Sequence, residues 1–561
     1  MAEVETLRSL RDFVSEAGFS NRAEFESRLQ LLADFARSDD GRQALAAAEA
    51  VSGLLSLSSL IIPSTSEAFP GSGWSSKTFN LYVKLLRNLC AGNSVNQETF
   101  VRIGGLEALA PVVRILDAGS FKDGVDVAGT SPVEASVRNT AIEGLQMVLQ
   151  LLGNTAGLGE LSQEKIWEVF FPLIFEIVAR VSSVKVQGPL CMVLFTCCRH
   201  NDIRCSELSE NKGASIVALL LNSGGVDVSN SSSNEWLEFL ITHLCFAKPC
   251  FRVLFSELGG TIGESTEIDG LPETAVRQSF VKEQAALLDI LNASLSAREQ
   301  DQHSGDPLSD SQQWISMPST SASFLIDIVR CAAKCAASTG LSALQLPTHS
   351  PVADVLGLSL SMIRILCVLD EKRSKILPVF ASSGLIPLML DLLRPLGSPD
   401  GAKASTTSTQ GGVETNSSTS TVRRMGSEQS SSNGVDVFPS RDVYIGYRRD
   451  IVAVIANASH RSFLIQDAVR ENGGLLLVLQ QCMPDTNNPF LREWGLWAIR
   501  NLLEGNSNNQ TELADLEIRS VVPDSRLKEA GMGVEIDPET GRPRLVNITP
   551  STESPAVDEI L

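Results

Sequence analysis

Phe25, Leu29 and Leu32 fall four and three residues apart, the spacing that brings side chains onto one face of an α-helix. The same period recurs through most of the chain. It predicts helices over residues 7–32, with Asn21 placed to cap the start, and over 133–152, 166–181, 189–198, 216–221, 236–246 and 251–258. Further helices are expected over 280–291, 324–336, 355–369 and 385–393. Polar stretches rich in Gly, Ser, Asp and Thr separate them at 117–132, 229–233, 259–276 and 297–320, and these read as loops. Long runs of strict alternation are missing, except near the C-terminus. There Val534-Glu535-Ile536 and Arg544-Leu545-Val546 flank the turn-forming residues 537–541, which predicts a β-hairpin.

A polar string punctuates the apolar pattern and is written twice. Arg87-Asn88-Leu89 leads through Gly92-Asn93-Ser94 to Asn96-Gln97, and Arg500-Asn501-Leu502 leads through Gly505-Asn506-Ser507 to Asn509-Gln510 at the same spacing. A third copy puts Asn457 on Asn88, Gln466 on Gln97 and Gly473-Gly474 on Gly104-Gly105. Looser copies start at Thr196 and His243, and another puts Cys367 in the asparagine slot. Asn457 and Asn501 are 44 residues apart, within the period of about 40–47 that marks armadillo and HEAT repeats. Residues 79–116 show a whole unit: a helix that Asn80 precedes and that runs through Leu89 until Gly92 ends it, a second from about Val95, the Gly104-Gly105 turn, and a third through Leu116. Asn488-Pro489 reads as a helix start, with Asn as cap and Pro in the first turn. The expected fold is therefore all-α, an armadillo/HEAT-like right-handed superhelix of stacked helical repeats.

Composition supplies the domain limits. Residues 397–436 are dense in Ser, Thr and Gly and poor in large apolar residues, too few to offset the entropy of ordering, so disorder is expected there. The organisation expected is N-terminal repeats over 1–396, a Ser/Thr/Gly-rich insert over 397–440, C-terminal repeats over 441–546 and an acidic flexible tail over 547–561.

Charge and cysteine usage narrow the function classes. The net charge is −20, from 66 acidic and 46 basic side chains, which disfavours nucleic acid as a partner. The start of the chain lacks the basic and apolar regions of a signal peptide, and the longest apolar run is taken as residues 51–62, short of the roughly 20 residues that cross a bilayer. The eleven cysteines are odd in number and scattered, as reduced core residues are. Cys331 and Cys335 share a helical face, but no His or Cys pair accompanies them as a metal site requires. No phosphate-cradling loop, nucleophile elbow or zinc-protease motif is present. No cofactor, metal or catalytic residue is expected, and the chain is read as a non-enzyme of the cytoplasm, with nucleus and centrosome as alternatives.

The segment 444–546 resembles the C-terminal region of the ataxin-10 family. The resemblance is carried by Asn487-Asn488-Pro489-Phe490, Glu493-Trp494, Ala498-Ile499-Arg500-Asn501-Leu502, Glu504, Asn508-Asn509-Gln510 and the ending over 531–546. It implies a cytoplasmic helical-repeat scaffold that binds other proteins, with links to cytokinesis and signalling complexes. The alternative it implies is a regulatory subunit that stimulates a partner enzyme such as a glycosyltransferase. The partners expected are proteins, without membrane insertion, and a homo-oligomer stays open.

One constellation carries binding chemistry. Trp497 and Asn501 lie four residues apart on one predicted helical face. An asparagine amide both donates and accepts, so it can hold a peptide main chain, while the indole walls the adjoining side chain. A short groove lined by Trp497, Asn501 and Asn457 is the binding hypothesis. The alternative is that Asn501 ties repeats together and Trp497 is core. Asn88, Gly104, Gly105, Gly473, Gly474, Pro489 and Trp494 are read as structural markers of the repeat, Trp494 as a core anchor.

Overall fold

A computed structural model describes residues 22–61, 76–120, 132–223, 235–259, 280–304, 317–339, 344–370, 374–399, 437–516, 527, 531–537 and 543–547. The first part of the expected opening helix (7–21), most of the insert and the tail beyond 547 lie outside these residues. The chain divides into two compact units, 1–321 and 322–561.

The first unit contains α1 (Arg22–Phe35), α2 (Asp39–Ala47), α3 (Ala50–Ser56), α4 (Ser58–Ile61), α5 (Ser76–Cys90), α6 (Ser94–Arg102), α7 (Gly105–Ser120) and α8 (Pro132–Ala156). It continues with α9 (Glu160–Phe170), α10 (Leu173–Ala179), α11 (Val184–Cys198), α12 (Asp202–Ser209), α13 (Asn211–Ser223), α14 (Glu235–Thr242), α15 (Phe251–Gly259) and α16 (Lys282–Ser304). The long helices form a spine in which α1, α5, α8, α11, α14 and α16 each pack on the next. Leu29 and Leu32 of α1 are fully buried, as are Val83, Leu86 and Leu89 of α5 and Leu151 and Leu152 of α8. Each such side chain contributes about 1.5–3 kcal/mol by leaving water. The shorter helices between spine members complete repeats of the expected kind.

Several boundaries differ from the sequence expectation, each for a local reason. Residues 166–181 are not one helix: Phe171 and Pro172 separate α9 from α10, because proline lacks an N–H and disfavours helix at the residue before it. Residues 117–120 and 297–304, expected as loop, extend α7 and α16. Asn80 does not precede α5 but sits inside it, and its amide donates to Thr140 O at 3.0 Å.

The second unit contains α17 (Ser319–Ser338), α18 (Pro351–Leu369), α19 (Leu377–Ser382), α20 (Leu385–Leu393), α21 (Tyr447–Ser459), α22 (Phe463–Glu471), α23 (Gly474–Leu479), α24 (Leu491–Leu503) and α25 (Ser507–Ala514). Its spine is α18, α21 and α24. The expected hairpin is present: β1 (Met532–Ile536) pairs antiparallel with β2 (Pro543–Asn547), Val534 opposite Leu545 and Glu535 opposite Arg544. Among the described residues the longest apolar helix is α18, and not one within residues 51–62. Its 19 residues have the length and apolar character of a membrane span, yet most of it is buried within the unit.

A polar knot fixes the start of α21. Arg448, 5% exposed, donates to Gly397 O (2.6 Å), Leu396 O (3.0 Å) and Gln481 Oε1 (3.2 Å). These carbonyls lie just past the end of α20, where a cation also meets the negative end of the helix dipole. Asn488 Oδ1 accepts from Arg448 N (2.9 Å) and Arg449 N (3.3 Å), while Asn488 Nδ2 donates to Asp442 Oδ2 at 2.9 Å. Asn488 therefore caps α21, forty residues earlier, and not the helix that follows it. The residue preceding α24 is Phe490, in the left-handed region at φ 65°.

Candidate partner-binding face of the last repeats

The repeated polar string is a device for closing helix ends. The last carbonyls of a helix have no partner within it. After α5, Asn93 Oδ1 accepts from Asn96 N (3.0 Å), Asn96 Nδ2 donates back to Leu89 O (2.8 Å), and Gln97 Nε2 to Cys90 O (2.7 Å). After α24 the arrangement repeats: Asn506 Oδ1 accepts from Asn509 N (3.1 Å), Asn509 Nδ2 donates to Leu502 O (2.9 Å), and Gln510 Nε2 to Leu503 O (2.8 Å). A version with other residue types follows α11, in the looser copy that starts at Thr196. There Asn201 caps Arg204 N (3.0 Å), Arg204 donates through NH1 to Cys197 O (3.0 Å), and Cys205 Sγ to Cys198 O (3.2 Å). Arginine and cysteine fill the asparagine and glutamine roles, so no identity search on the string finds them.

The asparagines at the ends of the spine helices point at the preceding spine helix. Asn88 Nδ2 donates to Ala33 O (2.7 Å), Asn457 Nδ2 to Arg364 O (3.3 Å) and Asn501 Nδ2 to Ala456 O (2.9 Å). Asn154, not singled out in the sequence, does the same to Arg87 O at 3.2 Å. Asn501 is 1% exposed and Asn457 8%. Neither amide faces solvent, so the three residues proposed for the groove are not brought together on one open surface.

Trp497 stands apart from them. It is 47% exposed, with the Arg500 guanidinium 5.0 Å from its ring centroid, a cation–π distance. Four helical residues turn through about 400°, a 40° offset. That offset is enough to carry Trp497 past the edge of the stripe where Ala498, Asn501 and Leu502 pack. Leu496, next to it in sequence, and Phe490, just before the helix, are exposed at 52% and 69%. Trp494 is half-buried, less than a core anchor would be.

The remaining markers are structural. Gly104 and Gly473 have φ of 82° and 63°, where L-residues are strained. A Cβ at Gly105 would lie 2.5 Å from the Phe100 ring, and one at Gly474 2.8 Å from Leu390 and Val469. Pro489 sits in the segment before α24. Among the described residues, no group of three or more His, Cys, Asp or Glu is arranged to hold a metal ion. All eleven cysteines are free thiols; eight are buried, while Cys331, Cys335 and Cys482 are half-buried.

The face just described lies inside the segment that known proteins share with this chain. Residues 447–546 match the family model described as the spinocerebellar ataxia type 10 protein domain. Ataxin-10 of Pongo abelii is 26% identical over 458 residues, 81% of this chain and 78% of that protein. The chain is thus similar to ataxin-10 proteins over most of its length, and residues 447–546 match the domain that the family model describes. The ataxin-10 homolog of Candida albicans reaches 41% identity over 93 residues, 17% of this chain and 20% of that one. Similarity to the ataxin-10 proteins is thus higher over a short shared stretch than over the whole chain. A designed armadillo repeat protein, 16% identical, covers 52% of this chain and 98% of its own with a TM-score of 0.31.

Proposed function

We propose that this protein is a non-catalytic scaffold that holds protein partners through the exposed face of α24, with Trp497 and Arg500 as anchors and with Leu496 and, just before the helix, Phe490 as further exposed apolar residues. The supporting observation is Trp497 itself: an indole nearly half exposed, stiffened by a cation, on the last spine helix. Tryptophan and arginine are the residues that most often dominate binding energy. Covering the open part of this ring would contribute about 2 kcal/mol from area alone. The setting we propose is the cytoplasm, in complexes of cell division or signalling, in line with the family resemblance. The test is affinity capture with wild-type and Trp497→Ala bait, read by quantitative mass spectrometry. Partners lost only from the variant support this face. Identical partner sets, with the variant equally well folded, rule it out.

A further inference from the structure

Four consecutive repeats of the first unit share a feature that the scaffold reading does not use. The helices that follow the spine member of each, α6, α9, α12 and α15, expose an aliphatic side chain near the start: Val95 (61%), Leu161 (80%), Ile203 (71%) and Val253 (39%). Three or four positions further on, each carries an exposed carboxylate: Glu98, Glu164, Glu207 and Glu257. That spacing keeps both residues on one side of their helix. The helices are neighbours. α9 packs beside α6, and α12 beside α15. The starts of α9 and α12 are joined by Glu160, which accepts from Asn201 Nδ2 (3.1 Å) and Arg204 NH2 (2.8 Å). The result is a row of aliphatic ledges with a row of carboxylates alongside. Of the exposed bases on these helices, Lys165 is paired with Glu168 at 2.7 Å, while Arg102 and Arg252 stand near the ends of the row. Single exposed aliphatics are ordinary; one per repeat, each with its acid, forms a pattern.

We propose that this edge binds an amphipathic helix of a partner protein, whose aliphatic stripe is flanked by lysine or arginine. Charge selects the flanks, because the carboxylate row calls for bases. Spacing selects the helix. Packed helices lie about 8–10 Å apart, and two helical turns advance about 10.8 Å, so an apolar residue at every seventh position meets each ledge in turn. An extended strand repeats a face about every 6.6 Å and falls out of step. Four ledges span about 30 Å, the length of about 20 helical residues.

The test uses the full chain and a fluorescein-labelled peptide of about three heptads, with leucine at every seventh position and lysine on both flanks. A second peptide carries glutamate in place of lysine. The lysine peptide is expected to bind, less tightly as salt rises, and the glutamate peptide is not. Leu161→Ser/Ile203→Ser, both at exposed sites, should weaken binding at least about tenfold, the effect of about 1.4 kcal/mol, without changing the melting curve. Glu98→Lys/Glu164→Lys should weaken it as well and flatten its salt dependence. Should the serine pair disturb the fold, Val95→Ser alone carries the same readout. The proposal is overturned if the lysine peptide does not bind, if the glutamate peptide binds equally, or if the serine variants bind it as wild type does. The last outcome would mean attraction to the net charge of −20 alone.

Discussion

Asn501 and Trp497 look equivalent in the sequence, one helical turn apart, and the structure gives them opposite duties. Asn501 Nδ2 satisfies Ala456 O inside the stack at 2.9 Å, and Trp497 opens to solvent. Asn501→Ala should therefore destabilise the protein by about 1–3 kcal/mol, the cost of a buried carbonyl left without its donor. Trp497→Ala should stay within about 0.5 kcal/mol of wild type. Denaturant unfolding of the two variants side by side checks the contrast. Asp450 makes a second residue-scale case. Burial raises its carboxyl above the ordinary 3.8, opposed by Arg449, while the Tyr444 hydroxyl donates to it at 3.1 Å. A carboxyl raised on folding holds its proton more tightly in the folded state. Its favourable contribution is complete below 3.8 and is lost as pH rises through the raised value. Asp450→Asn should remove that loss, so the variant gains on wild type as pH rises between about 4 and 7. Unfolding free energies across that range give the sign directly.

Elements were legible where a single physical rule decides them. The hairpin over β1 and β2 was set by alternation around a turn-forming segment, and Gly92, Gly104 and Gly473 do take the positive φ that ends or begins helices. What escaped was anything settled by a distant partner. Asn488-Pro489 carries the local signature of a cap for α24, yet its side chain reaches Arg448 N and Arg449 N at the start of α21. A short amide with two acceptor lone pairs serves whichever orphan donors packing brings near, and sequence proximity does not say which. The Arg204–Cys205 version of the end-closing device shows in the sequence only as the loose copy from Thr196, because the geometry is kept while the residue types change. The consequence is testable. Asn488→Ala should lower stability by about 1–2 kcal/mol, as loss of a helix cap does. In hydrogen exchange, the loss of protection should appear first at the N-terminal turn of α21, not at that of α24.

At the scale of the molecule, a chain of stacked repeats draws its stability from neighbours, not from one common core. Damage should then stay local. With Asn501→Ala, exchange should quicken in α21, α22 and α24 while α5 and α8 in the other unit keep wild-type protection. Uniform loss across both units would mean that the array melts as one body. The proposed binding surfaces were less legible than the fold. The polar string drew attention to Asn501 and Asn457, which packing uses, whereas Trp497 and the ledges at Val95, Leu161 and Ile203 owe their importance to exposure, a quantity only the packed chain defines.

Four asparagines of the spine helices share a polarity. Asn88, Asn154, Asn457 and Asn501 each hand their amide hydrogen backwards, to a carbonyl of the spine helix that comes earlier in the chain. During synthesis, which runs from the N-terminus, every new repeat meets an acceptor already in place when its own asparagine emerges. Truncation should feel the same asymmetry. Trimming from the C-terminal side of either run bares a carbonyl that water can reach, while trimming from the N-terminal side strands a donor against a missing helix. At these four helices the earlier repeat serves as the template on which the following one closes, while Asn80 of α5 donates the other way, to Thr140 O of α8.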